Sequence, residues 1–447
     1  MDLDAAIFNA LRWVSATRVG DRLLDRALAP FNHFSSRRYI DPYPLYDRVR
    51  ALAPAYWHRR ARMWIVTGYD ETLQVLRGPV SVDRRNMVTG LSPYRHMDPA
   101  NANLMLSNML MQDPPDHTRL RRTVNRGFTP RAVRVMQDRI DASASSVVAE
   151  LAAGGHDRAI DIVAATRELP VRMICDLLGV PEADRPRMVA IADVLSQFAD
   201  PVTGFDPDEM DRAVTDLSQL VAGYVAERSE PVDVLVDSAV DVPVGAGSAR
   251  GAGGTDLISA LLKPEGEEGA LDRDEVISMV GLLLIAGQET TSGLIGNAIV
   301  ALDRFPEQRR TLLELGDDSR PIEELLRYDS PIQATDRTMV EDLRMEDGTH
   351  LREGDVVVLC IGGANRDPRQ YERPNELLLD RDDPRPLSFG HGPHHCLGAA
   401  LARLQSRAVL SEFVTAFPEY RVDRSGVAWK RSTTLRGPAA VPVLLDG

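Results

Sequence analysis

The sequence lacks most of the features that mark secreted, membrane-spanning or nucleic-acid-binding proteins. Only three of its 447 residues are cysteines, Cys175, Cys360 and Cys396, and their scatter argues against a disulfide framework. No apolar run approaches the ~20 residues of a membrane span, and Met1 to Asp4 carry no basic signal segment. Acidic residues outnumber basic ones by 66 to 52, which argues against bulk binding to nucleic acid. We therefore expect a globular cytoplasmic protein with no membrane span.

The chain does have enough apolar residues, 44% of the total, to bury a large core. Length alone would suggest about three domains at ~150 residues each. Residues 1–41 are interpreted as an N-terminal extension, in which Ile7, Leu11 and Val14 line one face of a short docking helix. Residues 229–254 are rich in Val, Asp, Gly and Ala, which predicts a flexible surface insertion.

Hydrophobic spacing predicts a chain of helices with a small β region near its beginning. We predict strands at 55–58, 63–67 and 355–359, and helices at 44–52, 70–76, 130–153, 166–178, 182–197, 207–228 and 271–305. Residues 78–112 show little periodicity but contain several methionines, Met105 and Met109 among them. So long an irregular stretch predicts a binding loop or lid with an adaptable apolar lining.

Cys396 stands at the end of a glycine-rich turn. Gly390, Gly392 and Pro393 precede it, and an Ala/Leu-rich helical pattern follows it. The glycines allow positive φ, so the segment predicts a tight turn that presents the thiol at a helix N-terminus, where a thiolate is stabilised. Taken alone, such a cysteine is more often a buried structural residue. A zinc site that includes the neighbouring His394 is a weaker alternative, because no second pair of ligands completes a tetrahedral site.

The longest predicted helix contains a polar interruption. Asp272 and Glu275 form a capping-box pattern at its start, and Pro306 stops it. Residues 281–286 are apolar all round, which predicts burial, but residues 287–291 read Gly-Gln-Glu-Thr-Thr. The threonine could bond a helix carbonyl and the glutamate could find an arginine. A functional role is favoured, because buried carboxylates are costly and tend to mark sites of chemistry.

Two further pairs share a helix face. A basic helix is predicted after residue 113, with Asp113 as its N-cap, and it places His117 and Arg121 four residues apart. Glu324 and Arg327 are three residues apart in a later helix. On spacing alone, each pair would most often lie on a solvated surface and contribute little to stability.

Taken together, these segments resemble the cytochrome P450 monooxygenases. Residues 389–403 fill that family's haem-binding signature, Phe-Gly-x-Gly-x-His-x-Cys-x-Gly-x-x-Leu-Ala-Arg. Residues 286–291 match its central-helix motif, Ala-Gly-x-Glu-Thr-Thr, and residues 324–327 match its Glu-x-x-Arg motif. Residues 377–381 depart from the usual pattern of an aromatic–Asp pair before an arginine. The matches extend from residue 42 to 445, essentially the whole chain.

The resemblance implies the mainly α cytochrome P450 fold with a small β region, as one catalytic domain over residues 42–447. It implies haem b, with the thiolate of Cys396 as the ligand of the iron. It further implies contacts to the haem from His117, Arg121, Ala286, Gly287, Arg337, Phe389, His394 and Gly398.

The resemblance also implies the reaction, which is hydroxylation or epoxidation of an apolar small organic molecule with O₂ and two electrons. Glu289 and Thr290 would be catalytic, because reductive O₂ cleavage consumes two protons. Glu324 and Arg327 would form a buried structural pair. The pocket candidates are Met105, Met109, Leu283, Ile332, Gln333, Ala334, Thr335, Thr433 and Thr434.

Separate proteins are expected to supply the electrons, since no flavin or iron–sulfur module follows Gly447. The implied partners are a ferredoxin and a ferredoxin reductase, with docking on the Cys396 side near Arg119, Arg122, Arg403 and Arg407. Two alternatives stay open. A haem-thiolate peroxygenase or isomerase would need no donor, and a haem-based sensor would not turn over; both leave the acid–alcohol pair at 289–290 without its expected role.

Overall fold

The computed structural model describes residues 39–59, 61–83, 96–153, 159–199, 205–229, 256–263 and 270–445. The predicted N-terminal docking helix lies outside these ranges. All but the first residue of the predicted insertion also lies outside them. In the described part of the chain, no helix is long and apolar enough to cross a membrane.

Helices form most of the described structure. In the first half they are α1 (Tyr43–Leu52), α2 (Tyr69–Arg77), α3 (Pro99–Leu106), α4 (Asp116–Val124), α5 (Pro130–Val135), α6 (Gln137–Ala153), α7 (Ile162–Thr166), α8 (Leu169–Leu178), α9 (Arg185–Leu195) and α10 (Pro207–Ser229). In the second half they are α11 (Leu257–Leu261), α12 (Arg273–Arg304), α13 (Glu307–Leu315), α14 (Arg320–Tyr328), α15 (Ile361–Ala364) and α16 (Ala399–Ala416).

The strands are short. They are β1 (Ala55–His58), β2 (Met63–Val66), β3 (Val80–Ser81), β4 (Ile160–Asp161), β5 (Thr335–Met339), β6 (Leu343–Arg344), β7 (His350–Leu351), β8 (Val356–Leu359), β9 (Arg421–Val422), β10 (Ala428–Trp429), β11 (Pro438–Ala440) and β12 (Pro442–Leu444). The largest sheet has the order β1-β2-β8-β5-β3, in which only β2 and β8 run parallel. Smaller sheets join β4-β12-β9, β10-β11 and β6-β7.

Helix α12 lies at the centre of the fold. Its start carries the predicted capping box: the Asp272 carboxylate accepts the N–H of Glu275, and the Glu275 carboxylate accepts the N–H of Asp272. Most of its side chains are buried, as expected for a helix that is apolar on every face. Helices α3, α8, α9, α10 and α16 pack around it. Residues 286–291, which are predicted to carry the chemistry, therefore lie in a mostly buried helix that other helices surround.

Two predictions about the first half were wrong. Residues 78–112 are not irregular throughout, because they include α3, which Asp98 caps through the N–H of Ala100 at 2.8 Å. Asp113 is not the N-cap of the basic helix, which begins at Asp116. Its carboxylate instead accepts the N–H of Val82 at 3.0 Å and the hydroxyl of Ser81, so it fastens the helix to the end of β3.

The two ends of the predicted insertion meet. Arg228, near the end of α10, donates through Nε to the carboxylate of Asp256 at 3.1 Å and through Nη2 to the carbonyl of Gly179 at 3.0 Å. Asp256 is also the N-cap of α11, where its carboxylate accepts the N–H of Ser259 at 2.8 Å. The chain thus leaves and re-enters the helical body at one ion pair.

Candidate active site

Cys396 follows a tight turn just before α16. The turn bends at Gly390 and Gly392, whose φ angles are +69° and +74°, which confirms the positive φ predicted for the glycines. A side chain at Gly392 would meet the carbonyl oxygen of Leu76 at 2.8 Å, so this position also allows close backbone approach. The N–H of Cys396 donates to the carbonyl of Phe389 at 2.8 Å and closes the turn.

The thiol of Cys396 is enclosed by protein but accessible on one side. Burial raises its pKa, whereas the N–H of Gly398 and the guanidinium groups of Arg403 and Arg121 favour the thiolate. Gly398 is the N-cap of α16, and apart from its chain neighbours no atom of the described residues lies within 4 Å of the position of a Cβ there. The sulfur of the exposed Cys396 is therefore accessible to a ligand, and nearby donors stabilise its charge.

Ala286 is exposed in the middle of buried α12. Residues 281–285 and 291–299 around it are buried, so α12 borders an open space at this point. The adjacent Gly287 has another role in the structure: a methyl group there would lie 3.2 Å from the side chain of Ile174 on α8. Gly287 thus permits close packing of α8 on α12, which sequence reasoning did not foresee.

The polar residues after Ala286 have partners. Thr290 donates from Oγ1 to the carbonyl of Ala286 at 2.8 Å, as in the structural alternative considered for it. Glu289 forms an ion pair with Lys430, which directly follows β10; the two side chains are 14% and 30% exposed. Gln288 donates to the carboxylate of Asp193 on α9 at 2.5 Å. The polar interruption therefore connects α12 to two other elements.

Four predicted haem contacts come together on the side of α4. The ring centroids of His117 and His394 lie 4.1 Å apart. Burial, His117, Arg337 and Arg121 all favour the neutral ring of His394 and lower its pKa to about 3. Burial and Arg121 also lower the pKa of His117. These groups form a cationic cluster that fits two carboxylates of one ligand.

Polar atoms in this cluster are available to such a ligand. Neither ring nitrogen of buried His117 has a hydrogen-bond partner within the described ranges. Arg121 donates from Nη2 to the carbonyl of His395 at 2.5 Å, and Arg337 donates from Nη1 to Thr335 Oγ1 at 3.0 Å and to the carbonyl of Asp336 at 2.6 Å. A buried imidazole without partners is unusual, so it marks a place where an acceptor would bind.

Glu324 and Arg327 form the buried pair that the resemblance implied. Both side chains are 0% exposed, and the guanidinium donates to the carboxylate at 2.6 and 2.8 Å. Arg327 also donates to the carbonyls of Asn365, Pro374 and Glu376, between 2.8 and 3.1 Å. The carboxylate of Glu324 accepts from the N–H of Leu378, inside the atypical segment 377–381. That segment is therefore anchored despite its departure from the family pattern.

The pocket candidates fall into two groups. Met105 is fully buried against α12, where a methyl group at Gly281 would lie 3.5 Å from its Sδ, and Met109 and Leu283 are also buried. Segments 332–335 and 433–434 meet, since the N–H of Gln333 donates to the carbonyl of Thr434 at 2.7 Å. Ala334 is buried beside them, Thr335 contacts Arg337, and Ile332 bridges to Leu435.

The side chain of Gln333 is hydrogen-bonded within the protein. Gln333 donates its side-chain amide to the carbonyl of Ser330 at 2.8 Å and to the hydroxyl of Tyr43 at 3.3 Å. With Thr433 it borders a cavity of about 20 Å³ near Tyr39. The hydrogen bond to Tyr43 thus draws Gln333 into the packing of α1.

The arginines predicted to receive an electron donor are mostly engaged. Arg119 makes a bidentate contact with Glu275, which ties α4 to the start of α12. Arg403 pairs with Glu323 and lies over the ring of Phe389 at 4.3 Å, and Arg407 donates to the carbonyl of Asp317 at 3.0 Å. Arg403, Arg407 and the exposed Arg134 nevertheless border a cavity of about 290 Å³. The lining of this cavity is mostly apolar and consists of Val133, Arg134, Asp318, Ser319, Ile322, Ala400, Arg403, Leu404 and Arg407.

Sequence reasoning missed two residues at the site. Lys430 and Asp193 are the partners of Glu289 and Gln288, and they lie 141 and 95 positions away in the chain. No local pattern signals such contacts. For Lys430, the only available signal was the expectation that a buried carboxylate needs a cationic partner.

Comparison with known proteins identifies the family. The model of the family described as "Cytochrome P450" matches residues 63–314 and 319–423. The chain is 36% identical over 414 residues to cytochrome P450 monooxygenase PikC of Streptomyces venezuelae, covering 90% of this chain and 91% of that protein. It is 31% identical to 6-deoxyerythronolide B hydroxylase of Saccharopolyspora erythraea, covering 92% and 97%. The solved structure of the P450 PksS of Bacillus subtilis superposes with a TM-score of 0.77 at 26% identity, covering 93% and 100%.

This chain belongs to the cytochrome P450 family and has its mainly α fold. It is accordingly a P450 monooxygenase, an oxidoreductase whose cofactor is haem b held by a cysteine thiolate. The residues suit this cofactor: Cys396 offers an accessible thiol for iron, and buried His117, whose ring nitrogens have no hydrogen-bond partner among the described residues, can donate to a carboxylate. The exposed Ala286 marks open space beside α12.

Proposed function

We propose that this monooxygenase hydroxylates or epoxidises an apolar small organic substrate in the cytoplasm, with electrons from a ferredoxin and its reductase. One atom of O₂ enters the substrate and the other leaves as water, which requires two electrons and two protons. The observation that carries the proposal is the exposed Ala286, with Glu289 and Thr290 one turn further along a helix that is mostly buried. An acid and an alcohol beside an open space are what proton delivery into a water-poor site requires.

The predicted residues have the following roles in this proposal. Cys396 holds the iron, and His117, Arg121, Arg337 and His394 bind the propionates. Bound haem supplies O₂ binding and its reductive activation. Phe389 and Gly398 shape the thiolate loop, and Glu289 and Thr290 hold and move protons.

The electron donor is proposed to dock over the cavity bordered by Arg134, Arg403 and Arg407. Support comes from its position: Arg403 lies over Phe389, whose carbonyl accepts the N–H of Cys396. The mostly apolar lining and cationic rim fit an acidic protein that presents an apolar residue among carboxylates. Arg119 is left out of this surface because Glu275 occupies both of its terminal nitrogens.

The domain organisation is part of the proposal. Residues 42–447 act as one catalytic domain, and the insertion at 229–254 is not needed for the reaction. The ion pair between Arg228 and Asp256 supports a dispensable insertion, because it joins the flanking helices without the residues between them.

The names of relatives suggest where a substrate search should begin. They include hydroxylases of 6-deoxyerythronolide B and vitamin D₃ and a hydroxylase/epoxidase of mycinamicin IV. A solved neighbour carries hexadec-9Z-enoic acid on an acyl carrier protein, and another binds testosterone. We propose that the substrate is of similar size and apolar character, with Met105, Met109 and Leu283 on the side of α12.

The deciding experiment supplies holoenzyme with a bacterial ferredoxin, its reductase, NADPH and ¹⁸O₂, after a spectral binding screen of these compounds. The proposal expects substrate-dependent NADPH oxidation and a product with one ¹⁸O atom. Product formed only with hydrogen peroxide would favour the peroxygenase alternative. Spectral binding without turnover under either condition would favour a sensor and refute the proposal.

A further inference from the structure

Lys430 pairs with the carboxylate proposed to deliver protons. Its Nζ donates to Oε2 of Glu289, whereas Oε1 of Glu289 has no hydrogen bond to any residue that the structure describes. One oxygen is thus fixed and the other is left for a second partner. Lys430 is also the more exposed of the two, so the pair connects the interior of α12 with the solvent side of the protein.

The backbone that carries Lys430 is locked onto α12. The N–H of Lys430 donates to the carbonyl of Gly437 at 3.1 Å, across the β10–β11 hairpin. A side chain at Gly437 would meet Cα of Gly293 at 2.8 Å, so the hairpin and the helix approach too closely for any side chain there. Asn297 donates its amide to the carbonyl of Arg436 at 3.1 Å. These contacts fix the position of Lys430 along α12, next to Glu289.

Lysine is a rare choice in this chain. Only Lys263 and Lys430 are lysines among 52 basic residues. An ammonium is a compact charge that can contact one carboxylate oxygen, whereas the guanidinium fork favours both at once. An arginine at 430 would therefore tend to occupy Oε1 as well, and it would close the carboxylate to a proton carrier.

We propose that Lys430 is a positioning residue that holds Glu289 by one oxygen and leaves the other free to pass protons towards Thr290. This inference rests on the proposed oxygenase function. It adds that protons enter α12 from the side of the β10–β11 hairpin. It also assigns the C-terminal hairpin a part in the chemistry besides lining the substrate pocket.

The test compares holoenzyme variants K430M, K430R and R431M with the wild type. Arg431 is the matched control, because it is the next residue and contacts the ring of Tyr39 rather than Glu289. The ratio of product to NADPH consumed should fall at least about threefold in K430M and K430R, a part of the ~10²–10⁴ that general acid–base catalysis contributes. R431M should keep the wild-type ratio, and substrate affinity should be the same in all four proteins.

Two further readouts separate positioning from a merely structural role. Hydrogen peroxide brings its own protons, so peroxide-driven turnover by K430M and K430R should match that of the wild type. Thermal unfolding of K430M, E289Q and the double variant should be non-additive, because one ion pair is removed in each case. K430R should keep the wild-type melting temperature.

Wild-type coupling in K430M would overturn the inference, and so would wild-type coupling in K430R, since charge alone would then suffice. An equal loss of reductase-driven and peroxide-driven turnover would show that Lys430 only supports the fold. Failure of the proposed function looks different, because the wild type itself would then form no product with O₂ and electrons.

Discussion

The imidazole rings of His117 and His394 stack at a tilt, with their centroids 4.1 Å apart, within reach of the charges of Arg121 and Arg337. Each ring would be repelled by a charge on the other, and both lie near guanidinium groups. The protein therefore keeps these imidazoles neutral and reserves the excess positive charge for an anionic ligand. Because the folded protein resists protonation of these rings, its free energy of unfolding should fall in acid.

Mild acid should destabilise the haem-free protein through His394. The folded ring binds a proton only below about 3, whereas the unfolded chain binds one below the ordinary value of 6.5. The unfolded state thus holds more protons between these values, so the free energy of unfolding falls as the pH drops from 6.5, by up to about 1 kcal/mol per pH unit. Urea unfolding at pH 7 and pH 5 measures this difference. H394Q should show a shallower slope, and an unchanged slope would contradict the pKa shift of His394.

Cys396→Ala should abolish the thiolate signature of the haem. The reduced protein with carbon monoxide should show the red-shifted Soret band of thiolate ligation, and the variant should lose it because no sulfur remains to bind the iron. Cys360→Ala is the control, since this cysteine is fully buried in a separate cluster near β2 and burial raises the pKa of its thiol to about 12. The control should keep the band. An unshifted band in the wild type would exclude Cys396 as the ligand.

Thr290→Ala should uncouple the enzyme without preventing substrate binding. Among the described residues, the hydroxyl bonds only the carbonyl of Ala286, so its loss should leave the fold intact while electrons are diverted to hydrogen peroxide. We expect coupling to fall about tenfold, within the usual range for general acid–base groups. Ser292→Ala, two residues on, removes a buried hydroxyl that has no partner in the described structure, and it should leave coupling unchanged. Peroxide and product yields per NADPH provide the measurement.

Arg327→Ala should be far more damaging than loss of an exposed arginine. Removing this guanidinium leaves Glu324 charged and buried, which costs about 3–5 kcal/mol. Arg310→Ala breaks a helical pair with Glu314 that is 82% and 65% exposed, and it should cost less than about 0.5 kcal/mol. Thermal unfolding and haem content compare the two. Similar losses in both variants would show that burial does not decide the contribution of the pair.

Deletion of residues 232–252 should leave haem content unchanged and alter the melting temperature by only a few degrees. Five residues, 230–231 and 253–255, would then join helices whose ends already meet at the Arg228–Asp256 ion pair. Loop length affects stability weakly, because closure entropy grows only with the logarithm of length. Arg228→Met, which opens the junction, should lower the melting temperature more than the deletion does. Loss of haem on deletion would show that the insertion contributes to the fold.

Local signals explain why much of the fold could be predicted from sequence. The ends of α12 follow from the capping box of Asp272 and Glu275 and from Pro306, which act within one turn. The overlooked α3 also has a local signal, the cap at Asp98 followed by proline. Asp113 was assigned wrongly because its partners, Ser81 and Val82, lie more than 30 positions away. A capping pattern does not reveal competition from such distant donors.

In the site, too, features encoded by adjacent residues could be predicted, whereas contacts between distant segments could not. The turn at Cys396 is encoded by adjacent glycines, and the family signature identifies its ligand role. The pairing of Glu289 with Lys430 and the burial of Gln333 against α1 depend on how distant segments pack. Residue types alone do not specify which oxygen of a carboxylate stays accessible. The proximity of His117 to His394 became an expectation only through the resemblance to the family.

The contact between Gly293 and Gly437 limits how this enzyme can be recombined with its relatives. A methyl group at Gly437 would collide with the backbone of α12, and one at Gly293 would lie 3.2 Å from the carbonyl oxygen of Arg436. A chimera that exchanges the C-terminal hairpin but keeps α12 must therefore inherit glycine at both positions. The hairpin and the central helix should therefore be exchanged together, although 144 positions separate the two glycines.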